Sequence, residues 1–419
     1  MHPNALLELA TDLLHQVLQF QSPADRVVSD FFRTHRALGS RERHTLAETT
    51  YSVLRERLLF QHLAQSGKGE MARRLVLLAW QGNEGFLRAA LSEPEQRWLA
   101  QVQAVDRSAL AARLRHNLPE WLSVPLEAAL GDEFWPLVDG LNQGAPLDLR
   151  VNTFKAKREE VQAALQAGGI DAQPTPYSPW GLRVQGKPAL NKVDAFTRGD
   201  LEVQDEGSQL LALLTDAKRG EMVADFCAGA GGKTLALGAS MRNTGRLYAF
   251  DTSGHRLAAL KPRLARSGLS NVYPIQIAHE RDDRIKRLSG KIDRVLVDAP
   301  CSGLGTLRRN PDMKWRQTPE TVASLQNQQA AILASAARLL KPGGRLVYAT
   351  CSLLDGENED VARAFTESHG RDFKVLPAAE ALGKAHVAAA ESLVRGDFLR
   401  LWPHRHATDG FFAAVWERT

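Results

Sequence analysis

The stretch MVADFCAGAGGKT, residues 222–234, places a short apolar run before a glycine-rich turn and a helical pattern that starts at about Lys233. Gly229, Gly231 and Gly232 lie between the predicted strand and the predicted helix, where an open α/β sheet lets a backbone approach a nucleotide-like ligand. The spacing is neither GxGxxG nor that of a P-loop, because the glycines and Lys233 are too close together. A tight strand-to-helix connection would also explain the turn, so the flanking sequence has to decide.

From about residue 205 onward the chain alternates strand-like and helix-like segments, which is typical of a parallel sheet with crossover helices. The predicted strands are MVADFCA, RLYAFD, VYPIQIA, RVLVDAP and RLVYATC, and a closing antiparallel pair is predicted for FLRLWP and GFFAAVWER. We therefore predict a doubly wound, Rossmann-like α/β domain over residues 205–419.

The preceding chain has a different pattern. Residues 1–145 carry apolar residues at helical spacing and predict an all-α domain. Residues 146–204 combine a predicted strand, LDLRVNTF, with the helical stretch KREEVQAALQAGG, and predict a small α+β subdomain. Arginines cluster in the helical part, which indicates either a phosphate-binding face or an ordinary solvated surface: Arg33, Arg36, Arg41, Arg43, Arg55 and Arg57.

Composition narrows the class of protein. The 419 residues are 44% hydrophobic and 24% charged, as in soluble globular proteins, and no apolar run is long enough for a membrane span. Three cysteines without a CxxC pair favour a reducing cytoplasm, and twelve histidines without metal-ligand spacing predict no metal site. The net charge of +5 permits nucleic-acid binding without establishing it. We expect a monomer.

An acid follows the glycine turn at the end of the second predicted strand. Asp251 at that position can accept hydrogen bonds from ribose hydroxyls. The two motifs together favour an adenosine-containing cofactor without a pyrophosphate, and S-adenosylmethionine fits this description better than NAD.

Two further motifs follow the fourth and fifth predicted strands and contain Asp298, Cys301 and Cys351. The carboxyl ends of parallel strands open into the ligand crevice, so we expect these three side chains to meet beside the cofactor. A thiolate that adds to C6 of a pyrimidine makes C5 able to attack an electrophilic methyl group, and an acid such as Asp298 can assist at the ring N3 and exocyclic amine. These residues alone do not decide which cysteine is the nucleophile.

The chain resembles the RNA cytosine-C5 methyltransferase family of the bacterial 16S rRNA methyltransferase B and nucleolar NOP2/Sun type. The helical region, with ALGSRERHTLAETTYSVLRER, is similar to the antitermination-factor-like RNA-binding domain of the bacterial branch. The matching motifs are LRVNTFK (149–155), QDEGSQL (204–210), CAGAGGKT (227–234), DAPCSGLGTLRRNPDMKW (298–315), ATCS (349–352) and DGFFAAVWER (409–418).

The resemblance implies a role for each matching residue. Cys351 corresponds to the nucleophile, Cys301 to the cysteine needed for product release, and Asp298 to an acid that contacts both cofactor and base. Asp251 corresponds to the ribose-binding acid. The cofactor loop corresponds to Cys227, Ala228, Gly229, Ala230, Gly231, Gly232 and Lys233.

The implied function is S-adenosylmethionine-dependent methylation of a cytosine C5 in RNA, with 16S rRNA as the expected substrate. A tRNA is the alternative substrate, and a catalytically silent RNA-binding ribosome assembly factor is the alternative class.

Two segments depart from the family pattern. The third predicted strand usually ends in an acid that contacts adenine, and here His279, Glu280 or Asp283 is the candidate replacement. The glycine loop has Ala-Gly-Ala at 228–230 instead of the usual Ala-Ala-Pro or Ala-Ser-Pro.

The basic residues Arg308, Arg309, Lys314 and Arg316 are expected to contact phosphates, and Trp315 either stacks on a base or packs inside the protein.

Overall fold

The computed structural model describes residues 1–186 and 188–419. The helices are α1 (Pro3–Val17), α2 (Ala24–Thr34), α3 (Ser40–Arg55), α4 (Arg57–Ala64), α5 (Met71–Ala79), α6 (Glu84–Arg88), α7 (Glu93–Gln103), α8 (Ala112–His116), α9 (Glu120–Leu130), α10 (Phe134–Asn142), α11 (Arg158–Ala167), α12 (Asp194–Thr197), α13 (Glu206–Thr215), α14 (Gly232–Ser240), α15 (Gly254–Ser267), α16 (Asp283–Lys286), α17 (Met313–Arg316), α18 (Pro319–Ala337), α19 (Glu359–His369), α20 (Ala378–Lys384) and α21 (Pro403–His406). The strands are β1 (Leu147–Val151), β2 (Ala172–Pro174), β3 (Gly181–Val184), β4 (Leu201–Val203), β5 (Met222–Asp225), β6 (Arg246–Asp251), β7 (Val272–Gln276), β8 (Ile292–Asp298), β9 (Leu340–Thr350), β10 (Phe373–Leu376), β11 (Val394–Arg395), β12 (Phe398–Leu401) and β13 (Phe411–Arg418).

The chain divides into two compact units, one formed by residues 1–144 and 306–319 and the other by residues 145–305 and 320–419. In the first unit, helices pack around an apolar core. Helix α1 shows why: its apolar residues recur three or four positions apart and form one buried stripe, namely Leu6, Leu7, Ala10, Leu13, Leu14 and Val17. Within the described ranges, no helix combines the length and the apolarity that a bilayer span requires.

Residues 306–319 belong to the helical unit although they follow the DAPCSG motif in the chain. The Asp312 carboxylate accepts a hydrogen bond from the Ala24 N–H (3.1 Å) at the start of α2. At the last turn of α3, Lys314 Nζ donates to the Arg55 carbonyl and Trp315 Nε1 to the Leu54 carbonyl, each at 2.7 Å. The segment therefore docks by satisfying backbone groups at helix ends.

This docking corrects part of the sequence-based expectation. The expected phosphate contacts are wrong for Lys314 and Arg308, because these side chains are buried in the structure. Of the two alternatives for Trp315, stacking on a base or packing inside the protein, the structure shows packing against the helical core. Arg55 donates to the Arg308 carbonyl, and Arg57 lies 5.3 Å from the Trp315 ring centre, so both arginines pack against the docked segment.

The second unit is built on a sheet with the strand order β11-β12-β13-β9-β8-β5-β6-β7, and β10 pairs with β13. Strands β5 to β9 are parallel, and β13 pairs antiparallel to β9 and β12. Strand β5 lies between β6 and β8. The chain first adds β6 and β7 on one side of β5, and then adds β8 and β9 on the other side. This reversal opens a crevice at the carboxyl ends of the central strands. The predicted doubly wound fold is confirmed.

A small antiparallel sheet, with the order β2-β3-β1-β4, precedes the large sheet within the same unit. It contacts α15 through polar bonds: Glu202 of β4 forms ion pairs with Arg263 and Arg266, and the Asn152 side chain donates to the Ser267 carbonyl (3.0 Å). The predicted helical and α+β classes of the earlier chain are also confirmed, whereas the boundaries near residues 145 and 204 stay predictions.

Candidate active site

The glycine-rich turn joins β5 to α14, and position 231 admits only a residue without a side chain. Gly231 has a φ of +82°, and a Cβ atom there would lie 2.1 Å from Cδ1 of Leu260. The Ala228 N–H donates to the Phe250 carbonyl of β6 (2.8 Å). The turn is therefore held against β6 and α15 by both a backbone bond and close packing.

Asp251 ends β6 and is fixed by two backbone donors. Its Oδ2 accepts from the Gly229 N–H (2.8 Å), and its Oδ1 accepts from the Ser253 N–H (2.7 Å). Arg256 lies 3.7 Å from Oδ2. A carboxylate has about four acceptor sites, so this carboxylate retains capacity for the hydroxyls of a ribose. The geometry fits the predicted ribose-binding role, which stays a prediction.

Lys233 and Asp298 form an ion pair between the first turn of α14 and the end of β8. Lys233 Nζ donates to Asp298 Oδ2 at 2.8 Å. Burial alone would lower the pKa of Lys233, but the charge of Asp298 and the hydrogen bond to it outweigh burial and raise the pKa. The pair brings together the predicted cofactor loop and the predicted catalytic acid.

The two cysteines that follow β8 and β9 meet. Strands β8 and β9 run parallel, with Asp298 opposite Ala349 in register, so the chain leaves both strands at the same edge. The Sγ atoms of Cys301 and Cys351 are 3.3 Å apart, and the Cys351 N–H also donates to Cys301 Sγ (3.3 Å). The hydrogen bond with Cys351 and then burial raise the pKa of the Cys301 thiol well above its ordinary value. Cys301 is therefore held as a thiol.

Cys227 lies in the glycine turn, and its sulfur is not part of the hydrogen bonds between Cys301 and Cys351. Burial, followed by the charges of Asp298, Asp225 and Asp251, raises the pKa of its thiol well above the ordinary value. This environment opposes a role of Cys227 as a nucleophile. Its predicted role as a cofactor contact stays open. Among the residues that the structure describes, no group of three or more His, Cys, Asp or Glu side chains could hold a metal ion.

The chain beyond β7 contains the three candidates for the adenine contact. The acid that shapes this segment is Asp282, which accepts from the Ala278 N–H (2.9 Å) and which the sequence did not single out. Each candidate has a local partner: His279 Nδ1 accepts from the Arg281 N–H, Glu280 pairs with Arg281, and Asp283 pairs with Lys286. Which of them replaces the usual acid stays open.

Sequence reasoning missed two buried acids near these motifs. Asp225, at the end of β5, accepts from the Thr234 hydroxyl (2.7 Å), and burial raises its pKa to about 7. Glu357 lies beyond β9 and accepts from Ser302, the residue after Cys301. A serine after each cysteine was the available sign of a shared partner, but only the fold shows which acid that partner is.

A sheet whose direction of winding reverses at β5, with a glycine turn and a strand-ending acid but no pyrophosphate motif, suits an adenosine-containing methyl donor. Gly231, Asp251 and Asp298 stay the predicted contacts of such a donor. The protein is thus a methyltransferase with S-adenosylmethionine as its cofactor.

Comparisons with known proteins narrow this class to a family. A family model described as 16S rRNA methyltransferase RsmB/F matches residues 212–417, and one for the RsmF/B-like ferredoxin-like domain matches residues 118–191. The chain is 36% identical over 312 residues to a probable ribosomal RNA small subunit methyltransferase B of Synechocystis, covering 74% of this chain and 69% of that protein. The chain belongs to the RsmB/F family of 16S rRNA methyltransferases, and the resemblance seen in the sequence is confirmed.

Solved structures agree with this assignment. The crystal structure of PH0851 aligns with a TM-score of 0.82 at 27% identity, covering 100% of this chain and 99% of that one. A methyltransferase homologue from Pyrococcus horikoshii aligns with a TM-score of 0.63 at 28% identity, covering 75% of this chain and 100% of that one.

Proposed function

We propose that this protein methylates C5 of a cytosine in 16S rRNA through a covalent bond between Cys351 and C6 of the base. The observation that carries the proposal is the pair of thiols 3.3 Å apart where the chain leaves β8 and β9, on the same sheet edge as the glycine turn. One thiol alone would suit a structural cysteine. Two thiols at hydrogen-bond distance suit a reaction in which one sulfur attacks the base and the other assists the later departure of the attacking sulfur.

The chemistry can be followed bond by bond. The Cys351 thiolate forms the Sγ–C6 bond, and the electron pair of the C5–C6 double bond becomes available at C5. Bound S-adenosylmethionine would supply the methyl group that C5 accepts, with its sulfonium sulfur as the leaving group that keeps the electron pair of the broken sulfur–methyl bond. A base then removes the C5 proton, the double bond forms again, and the Sγ–C6 bond breaks with its electron pair returning to Cys351. The Cys301 S–H can hydrogen-bond to that sulfur as negative charge develops on it.

The pair of Lys233 and Asp298 would act on the base. A carboxylate that already accepts from the Lys233 ammonium can also accept from the exocyclic amine of cytosine. This contact would orient the ring and make N3 more basic, which favours protonation of N3 while Cys351 adds. Uracil carries an oxygen instead of that amine, so the same contact would discriminate against it.

Two surfaces support RNA as the substrate. In the helical unit, Arg33, Arg36 and Arg41 remain exposed, a position that suits phosphate contacts, and Arg33 pairs there with Asp30. In the second unit, a surface groove of about 460 Å³ combines an exposed aromatic ring with cations. Its lining includes Phe154, Lys155, Lys157, Arg158, Trp180 and Arg242. Aromatic rings for bases beside cations for phosphates are the usual elements of single-stranded RNA recognition.

Bisulfite sequencing of total rRNA and tRNA from a deletion strain and its parent tests the proposal. We expect one cytosine of 16S rRNA to lose protection in the deletion strain, and the wild-type gene but not Cys351→Ala to restore it. Loss at a tRNA position instead would overturn the substrate while keeping the chemistry. An unchanged pattern would favour an RNA-binding assembly factor.

A further inference from the structure

Each of the two cysteines is followed by a buried serine, and both serines bond to one carboxylate. Ser302 and Ser352 are fully buried, and their hydroxyls both donate to Glu357 Oε2. The Ser302 N–H donates to Glu357 Oε1 at 2.8 Å. Glu357 itself is 0% exposed. One side chain therefore connects the loop that carries Cys301 with the loop that carries Cys351.

Further donors fix this carboxylate in place. The Gln329 side chain of α18 donates to Glu357 Oε1 (3.0 Å) and to the Pro300 carbonyl (2.9 Å), next to Cys301. The Tyr348 hydroxyl of β9 donates to the Glu357 carbonyl (2.6 Å). A buried charge is tolerated only when its oxygens are fully hydrogen-bonded, and here every bond to the carboxylate comes from an element that borders the two cysteine loops.

We propose that Glu357 is a positioning residue that holds the two cysteine loops in register and keeps Cys301 as the S–H partner of Cys351. The inference rests on the proposed function, because it assigns different roles to the two sulfurs of the same site. Glu357 contacts neither reacting sulfur in the hydrogen-bond pattern and acts through Ser302 and Ser352.

Electrostatics agrees with this geometry. The groups that act on the Cys301 thiol are Cys351, Glu357 and the Gly303 N–H, and the Tyr348 hydroxyl of β9 also interacts with it. The Cys351 hydrogen bond, burial, and the charges of Cys351 and Glu357 raise the pKa of Cys301, whereas the Gly303 backbone lowers it. The negative charge of Glu357 behind the Cys301 loop disfavours a second thiolate there. Glu357 thereby makes Cys351 the nucleophile, a choice that the motifs alone left open.

Alkylation by iodoacetamide tests the inference in the full-length protein without RNA or cofactor. Mass spectrometry follows the peptides of the three cysteines separately from about pH 6 to about pH 10. In Glu357→Gln we expect the Cys301 profile to move to lower pH, with about tenfold faster alkylation near neutral pH, since one pKa unit changes the thiolate fraction about tenfold. In methyl transfer, we expect the same variant to lose kcat while the KM for S-adenosylmethionine stays unchanged.

Ser352→Ala provides a second variant, because it removes one bond to the carboxylate and keeps the charge. We expect a lower kcat with an unchanged pH profile of Cys301. This difference between the two variants separates the charge of Glu357 from its bridging bonds.

Glu206→Gln is the matched control. Glu206 is also 0% exposed, and its Oε1 accepts from the N–H groups of Tyr177 and Ser178 at 2.7 Å, between β2 and β3 and not from either cysteine loop. We expect it to lower stability without moving either cysteine profile. A folded Glu357→Gln with the wild-type Cys301 profile, or an equal movement in Glu206→Gln, would overturn the inference. Failure of the wild type to methylate any RNA would instead refute the proposed function. The two outcomes can be told apart because the alkylation experiment needs neither RNA nor S-adenosylmethionine.

Discussion

The Sγ atoms of Cys301 and Cys351 lie 3.3 Å apart, although fifty residues separate them in the chain. Parallel pairing of β8 and β9 brings both loops to one sheet edge, and Glu357 bonds to the residue after each cysteine. Because the hydrogen bond and burial keep Cys301 as a thiol, the two sulfurs differ chemically despite their proximity. This difference is what a reaction with an attacking and an assisting sulfur needs.

Replacing Lys233 by methionine tests the ion pair with Asp298. The variant keeps much of the side-chain volume and leaves Asp298 without its ammonium partner. Asp298 is also a predicted cofactor contact, and the charged hydrogen bond from Lys233 holds its carboxylate in place. Without this bond we expect the affinity for S-adenosylmethionine to fall roughly tenfold by isothermal titration calorimetry, which corresponds to about 1.4 kcal/mol. Lys218→Met removes an exposed lysine of the same unit that pairs with Asp216, and should leave this affinity unchanged. Equal affinity in both variants would argue against a role of Lys233 in cofactor binding.

Gly231→Ala tests the packing of the cofactor turn. The φ of +82° costs an alanine about 1–2 kcal/mol, and its Cβ would also overlap Leu260. Gly220→Ala is a matched control, because Gly220 has a φ of +79° with nothing within 4 Å of the added atom. We expect both variants to unfold at lower urea concentration, but only Gly231→Ala to weaken cofactor binding. A cofactor affinity that falls equally in both would locate the effect in general stability.

Phe154→Ala tests the groove as an RNA contact. Phe154 is 37% exposed, and stacking of a base on an aromatic ring contributes about 1–3 kcal/mol. We expect RNA affinity to fall roughly tenfold in filter binding, with cofactor affinity unchanged. Tyr273→Ala removes another exposed ring, 44% exposed on β7, and serves as the control. Retention of RNA affinity by Phe154→Ala would exclude the groove as a stacking site.

The stability of the helical unit should depend on pH through Lys314. Burial lowers the pKa of Lys314 to about 7, whereas an unfolded chain has a lysine pKa of about 10.4. Between these values the unfolded state binds one more proton, so stability rises with pH across this window. From about pH 7 to about pH 9 we expect the free energy of unfolding of the wild type to rise by about 2 kcal/mol relative to Lys314→Met.

Lys68→Met provides the control for this titration, because Lys68 is an exposed lysine of the same unit. Its free energy of unfolding should follow that of the wild type at every pH. A constant difference between the wild type and Lys314→Met over the same pH range would contradict a lowered Lys314 pKa in the folded protein.

Most of the fold could be predicted from local sequence patterns. The strands and the glycine turn were predictable because apolar periodicity and breaker residues depend on neighbouring positions in the chain. The meeting of Cys301 and Cys351 followed from one topological rule, that parallel strands share their carboxyl edge.

What could not be predicted depends on long-range docking. The basic segment around Lys314 reads as a phosphate-binding loop in the sequence, but it satisfies helix-end carbonyls of α3. Glu357 is an ordinary acid in the sequence, and only the fold brings it between Ser302 and Ser352. The adenine contact beyond β7 stays open for a different reason: His279, Glu280 and Asp283 all pair with near neighbours in the chain, so the fold does not single out one of them.

The most direct test of the central claim is to isolate Cys301→Ala protein with 16S rRNA and S-adenosylmethionine, digest the complex, and identify the cysteine that carries the nucleotide. We expect a C5-methylated cytidine adduct on the peptide of Cys351, and no adduct in the double variant Cys301→Ala, Cys351→Ala. An adduct on Cys227, or turnover by Cys301→Ala without any covalent species, would contradict the claim that Cys351 attacks the base and Cys301 assists its release.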